Sequence, residues 1–225
     1  MPMNQRDISW TEYIRKKSHD IESFIAEFEV QCKNTSEESV IVIQKQHVLS
    51  KIIIWFLTST NRALRDDTTR ALYYYGRKFP NEFSTLVYDS LKINDPYVWE
   101  RTLAVLYGIT MAEHNSFKSD KFRNILLPEI CKNIYNLIFK ANAPFSTTHI
   151  LARDYARRTI EICLVHNPNS LTKDEIKNVR PPYSLGGIRD LGEPDYGEND
   201  YDYAGPIQMD FSNYTLGRIV KDGSS

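Results

Sequence analysis

The chain lacks most of the residue patterns that mark chemistry. It has three cysteines and nine glycines in 225 residues, and its 28 lysines and arginines almost cancel 29 aspartates and glutamates. Cys32, Cys131 and Cys163 stand far apart with no C-x-x-C pair, and an odd count is a poor disulfide framework. The expectation is three buried thiols in a reducing compartment. No Gly-x4-Gly-Lys-Ser/Thr loop, no G-x-S-x-G elbow and no H-E-x-x-H helix occurs, so no nucleotide, nucleophile or zinc site is expected. The five histidines (His19, His47, His114, His149 and His166) do not pair at i, i+3 or i+4, so no metal site is expected either. A formal net charge of −1 removes any global pull toward polyanions. The opening Met-Pro-Met-Asn-Gln-Arg-Asp has no apolar stretch of the secretory kind. The greasiest run, Val48 to Leu57, is about ten residues, carries Lys51 and reads as too short to span a bilayer. A cytoplasmic protein without cofactors follows as the expectation.

What the chain does have is helical periodicity, from about residue 8 to 166. Ser9 to Lys17 puts Trp10, Tyr13 and Ile14 on one face, and Asp20 to Lys33 repeats Ile21, Phe24, Ile25 and Phe28 at i, i+3, i+4 and i+7. Glu37 to Leu57 starts with the β-branched run Val40-Ile41-Val42-Ile43. Its pattern continues without a turn signal, so a buried helix is the better reading. Asn61 caps the next helix. Asn81 to Ile93 is amphipathic, and Asp95-Pro96 is a strong start signal for a helix reaching about Met111. Lys121 to Lys140 is apolar on one face, with Pro128 expected to kink or restart it. Ser146-Thr147-Thr148 opens a helix running to about His166, and a short turn at Lys173 to Lys177 follows.

Three of these helices carry one pattern. It reads Leu64-Arg65-Asp66 with Arg70-Ala71-Leu72, Val98-Trp99-Glu100 with Ala104-Val105-Leu106, and Ala152-Arg153-Asp154 with Arg158-Thr159-Ile160. The copies lie 34 and 54 residues apart. Such spacing predicts an all-α, HEAT/armadillo-like solenoid of helical hairpins, each burying its apolar face on the next. It would occupy residues 1–177 and bury Ile21, Leu64, Ala71, Leu72, Val98, Leu106 and Ile160. Repeated Arg and Asp at equivalent positions read first as bonds to neighbouring helix ends. As an exposed binding surface, the basic residues Arg153, Arg157 and Arg158 are the candidates, and phosphates are what they would meet. Asp154 and Glu161 dilute that field.

Residues 178–225 change character. Arg180-Pro181-Pro182-Tyr183 reads as an extended strap, and Asp195 to Asp202 as a solvated acidic segment without the residue order of a calcium loop. Tyr196, Tyr201 and Tyr203 within it suit packing on a partner or back onto the domain. Asp210 to Val220, with Phe211 and Tyr214 on one side, reads as a last short helix.

Several longer words go beyond periodicity. Trp55 to Leu72, Asn94 to Gly108, Ala152 to Arg158, Val179 to Tyr183 and Asp210 to Gly217 occur in an order that resembles the C-terminal helical region of large bacterial antiphage STAND ATP-binding proteins. In that family an effector and a NACHT-like ATPase precede a helical sensor array. The 225 residues contain neither ATPase nor effector motifs, so ATP hydrolysis and killing do not carry over. The resemblance implies a non-catalytic sensor or scaffold piece from a truncated gene, a split subunit or an expressed fragment. Its expected partner is a protein, such as a phage protein or a defence-complex subunit, rather than nucleic acid or membrane; oligomeric state is left open.

Overall fold

A computed structural model describes residues 3–34, 39–116 and 119–181. Among them the regular secondary structure is all helical, with no strand, and the described residues fall in one compact unit. The helices are α1 (Met3–Lys16), α2 (Ser18–Asn34), α3 (Val40–Ile53), α4 (Arg62–Lys78), α5 (Pro80–Ser90), α6 (Pro96–His114), α7 (Leu127–Ile134), α8 (Ile150–His166) and α9 (Lys173–Val179). The expected strap at Tyr183, the tyrosines Tyr196, Tyr201 and Tyr203, and the last helix with Phe211 and Tyr214 lie outside the described residues.

Local signals account for most boundaries. Ser39, Asn61 and Asp95 cap α3, α4 and α6 with side chains that accept first-turn N–H groups. Thr172 and Glu175 close a reciprocal capping box on α9. The α8 cap differs from expectation: His149, rather than the Ser-Thr-Thr run, accepts the Ala152 N–H. Pro128 sits in the first turn of α7 and cannot donate to the turn before it. The preceding residues, Phe122–Leu126, accordingly widen to π geometry, with Leu127 N–H reaching back to the Phe122 carbonyl.

Helices α2, α4, α6 and α8 lie side by side in sequence order, and their cross-contacts run start to start and end to end. Asp66 meets Arg101 and Arg77 meets Glu113 between α4 and α6; Glu100 meets His149 and Tyr107 meets Tyr155 between α6 and α8. Between α2 and α4, Glu29 meets Arg70 and Lys33 lies over the Tyr74 ring in the same chain order, so these helices are parallel. Helices α3, α5 and α7 flank them, with Asn133 of α7 donating to the Tyr88 hydroxyl of α5. Trp10 latches α1 to the Trp55 carbonyl and the Thr58 hydroxyl, in the 3-10 turn that follows α3. The core contains Ile21, Leu64, Ala71, Leu72, Val98, Leu106 and Ile160, all buried as periodicity placed them.

Two expectations about α3 require correction. Among the described residues, the 19-residue stretch Val40–Thr58 is long and apolar enough to cross a membrane by length and composition, so the run is not limited to Val48–Leu57. Nor is α3 a buried helix. Its inward positions include Gln46 and Ser50, whereas Ile41 is 78% exposed and Val48 60% exposed. Gln46 donates to Gln31 (3.0 Å) and Ser50 to the His47 carbonyl (2.7 Å), so the inward polar groups are satisfied.

Gly76 of α4 sits where α5 and α6 close in. A Cβ there would lie 2.8 Å from Phe83 Cγ and would overlap Ile109 Cδ1. The alanine side chain would add about 1 kcal/mol of helix preference, while overpacking costs about 1–3 kcal/mol. The Phe83 ring has no room to retreat, since it is fully buried. Gly76→Ala should therefore lower the urea midpoint; a raised midpoint would show that the α4–α5–α6 junction is loose.

Candidate functional site

The repeated pattern has a common geometry. In the first copy Asn61 accepts the Ala63 N–H (2.9 Å) and Arg65 Nη1 donates to the Ser59 carbonyl (2.6 Å). In the second, Asp95 accepts from Tyr97 (2.9 Å) and Trp99 Nε1 donates to the Ile93 carbonyl (2.5 Å). In the third, His149 Nδ1 accepts from Ala152 (3.3 Å) and Arg153 Nη1 donates to the Thr147 carbonyl (3.0 Å). Each long side chain rises four residues after its cap and reaches a carbonyl six residues back, in the linker. The residue before it (Leu64, Val98 or Ala152) is buried in the core. Arg65 also lies over the Tyr97 ring at 4.3 Å, and Arg153 over Phe139 at 5.2 Å.

The third residue of each copy is acidic, and in the first two copies it ties helices together. Asp66 accepts from Arg101 at 2.6 Å across to α6, and Glu100 lies 3.6 Å from His149 Nε2 across to α8. Asp154 has no following motif helix and turns to its own, accepting from Arg157 and Arg158 at 2.6 Å each. Burial works to raise the Asp154 carboxyl, but those two guanidinium hydrogen bonds outweigh it and hold the group below the usual range.

The expected basic surface does not converge. Arg153 is only 4% exposed and points into the linker, so it is corrected from surface residue to structural donor. Arg157 and Arg158 remain toward solvent, both committed to Asp154. The three tyrosines expected beside them (Tyr196, Tyr201 and Tyr203) fall outside the described residues. The cysteines are buried, and burial pushes the Cys32 thiol up to about 12, which keeps it protonated.

Two features escaped the sequence reading. The first is a histidine pair at the ends of α6 and α8, where His114 Nδ1 and His166 Nε2 lie 2.7 Å apart. A neutral pair can share one proton at that distance. Among the described residues no third His, Cys, Asp or Glu joins them in a metal-binding group. The available signal was that both end helices bearing the motif, which parallel stacking brings together. The second is a cavity of about 350 Å³ bounded by α3, the α4–α5 corner, the end of α6 and the start of α7. Phe79, Phe122 and Leu126 form its buried floor, Ile43 and Ile125 its apolar rim, and Glu82, Glu113 and Glu129 its carboxylates.

No family model matches the chain, and neither a curated protein nor a solved structure matches it.

Two outcomes follow from this geometry. Arg153→Ala removes a charged donor and leaves a linker carbonyl unmet, which should cost about 2 kcal/mol by denaturant titration. Trp99→Phe keeps most of the ring and should cost about 1 kcal/mol. Equal stability of Arg153→Ala and the parent would deny the linker bond its role. The histidines set a pH window. Burial first, then the charges of His114 and Arg123, hold His166 below its ordinary 6.5; burial first, then Lys51, lowers His47. The unfolded chain thus binds more protons than the folded one as pH falls below about 6.5, so stability present above that value is lost below it. The melting temperature should fall between pH 7.5 and 5.5, and less so in His166→Gln; a flat profile over that range would contradict the assignment.

Proposed function

We propose that this chain is a non-catalytic, HEAT/armadillo-like helical-repeat scaffold that docks a protein partner in bacterial antiphage defence. The observation that carries the reading is the threefold cap-and-donor geometry on parallel helices, which is how a rod of hairpins holds its register. The residues that could otherwise have read as catalytic, Arg65 and Asp66 of the first copy and Arg153 and Asp154 of the third, are engaged in linker bonds and in pairs within and between helices. The large exposed aliphatics (Ile41, Val48, Ile125, Ile150 and Val165) supply apolar contact area of the kind protein partners bury. The resemblance to STAND sensor arrays supports placing the partner in defence, in the cytoplasm.

The competing reading is a phosphate-binding surface at Arg157 and Arg158, with Arg153 now excluded by burial. Both remaining arginines share Asp154, which leaves one net positive charge there rather than a basic patch. Purified protein should therefore turn over no ATP and should bind duplex DNA no better than micromolar at about 150 mM salt. Nanomolar, steeply salt-dependent DNA binding that Arg157→Glu abolishes would establish the competitor instead. ATP turnover above a heat-killed control would refute the non-catalytic reading. Capture of one stoichiometric protein from phage-infected lysate, repeated with purified components, is the positive test.

A further inference from the structure

Protein docking needs a place, and the cavity at the corner of α3, α4–α5 and α7 offers one among the described residues. Its floor of Phe79, Phe122 and Leu126 is apolar, and its volume of about 350 Å³ has room for one or two side chains. Ile125, at the mouth, is 64% exposed although aliphatic. Val40 lies one helical turn before Ile43 on the same side of α3 and continues the apolar wall outward.

The charges at this mouth are unequal in commitment. Glu113 is bonded to Arg77 at 2.8 Å and accepts from the Ser119 hydroxyl, so its charge is spent within the fold. Lys78 is also engaged. Glu82, in the first turn of α5, and Glu129, in the first turn of α7, have no ion-pair partner among the described residues. They stand out because the other conspicuous carboxylates of the stacked helices (Glu29, Asp66, Asp154 and Glu161) each hold an arginine. Among the described residues, Lys121 of the lining also has no ion-pair partner. The mouth is thus apolar with a negative excess supplied by two different helices.

We infer that this groove receives a basic, amphipathic peptide segment of the protein partner: an aliphatic or aromatic side chain seated on Phe79, Phe122 and Leu126, with flanking Lys or Arg meeting Glu82 and Glu129. The inference rests on the protein-docking reading above and names its site and ligand chemistry. Anchors of this kind contribute most of the affinity in small interfaces, while rim charges govern approach and salt dependence.

The test uses a display library of random dodecapeptides panned on the full chain, followed by synthetic peptides in fluorescence anisotropy. Enriched sequences should pair an aliphatic or aromatic residue with Lys or Arg within one helical turn. Their binding should weaken about tenfold or more in Ile125→Asp and in the double variant Glu82→Lys, Glu129→Lys, all three positions being at the surface or rim. The charge-reversed double variant should also lose the salt dependence. Melting curves matching the parent keep the comparison fair; if Ile125→Asp fails to fold, Ile125→Ser and the double variant carry the test. Peptides that bind equally well to the variants would overturn the groove and leave protein docking elsewhere intact. Enrichment of acidic peptides would overturn the charge assignment. Failure to enrich any peptide, together with nanomolar DNA binding, would remove the docking reading itself.

Discussion

The rest of the structure depends on the bond between a buried long side chain and a linker carbonyl six residues behind it. When parallel helices pack closely, the linkers that feed them are pressed against the core, and their carbonyls lose access to water. Leaving such a group unmet costs about 1–3 kcal/mol. Few side chains rise from the first turn of a helix, reach back past the cap and end in an N–H. Arg65 and Arg153 do so with a guanidinium, and Trp99 does so with an indole. A flat body also fills the space it crosses, as Arg65 shows against Tyr97 and Arg153 against Phe139. Lysine has the length but neither the flatness nor the forked donors. The bond sets the angle at which each linker enters its helix, and so sets which residues meet on the neighbouring one.

Much of this arrangement was legible in the residues, and the part that was not has definable causes. Helices with one apolar stripe and a polar cap, such as α4 and α6, were placed by period and by Asn61 and Asp95. The three-copy pattern picked out the helices that stack. The orientation of α3 could not be read the same way, because the consecutive run Val40-Ile41-Val42-Ile43 places apolar residues on every face of the helix. When every face is greasy, periodicity does not say which one turns inward, and the few polar residues decide. Gln46 found Gln31 and Ser50 found a backbone carbonyl, so that side became interior. Arg153 misled for the opposite reason. Residue type places an arginine outside, and only the position six residues after a linker carbonyl marks it as buried. The His114–His166 contact joins residues 52 apart through parallel stacking, which no local window contains.

The ion pairs reinforce the same order without being its source. Glu29–Arg70, Asp66–Arg101 and Arg77–Glu113 each span two stacked helices, and all are partly open to solvent. Exposed pairs contribute about 0–1 kcal/mol each, too little to hold helices that do not already fit. Their effect is on register and on field. Paired across neighbours, the charges of this face cancel, so the stacked helices present a nearly neutral, arginine- and tyrosine-bearing surface.

The flanking helices follow a different rule. The stacked helices pair many of their charges with one another or within themselves, while among the described residues Glu82 of α5 and Glu129 of α7 have no ion-pair partner beside an apolar mouth, and α3 turns Ile41 and Val48 outward while satisfying its polar side within. An exposed aliphatic costs folding stability through the burial it forgoes, about 25 cal/mol for each Å² of apolar area. A fold that spends its arginines on register and its polar α3 side on the interior could have turned that apolar side inward at the same volume. That it does not is what separates the two faces. One face neutralises its own charges, and the other is left with apolar area and negative charge, to which the proposed basic, amphipathic segment is complementary.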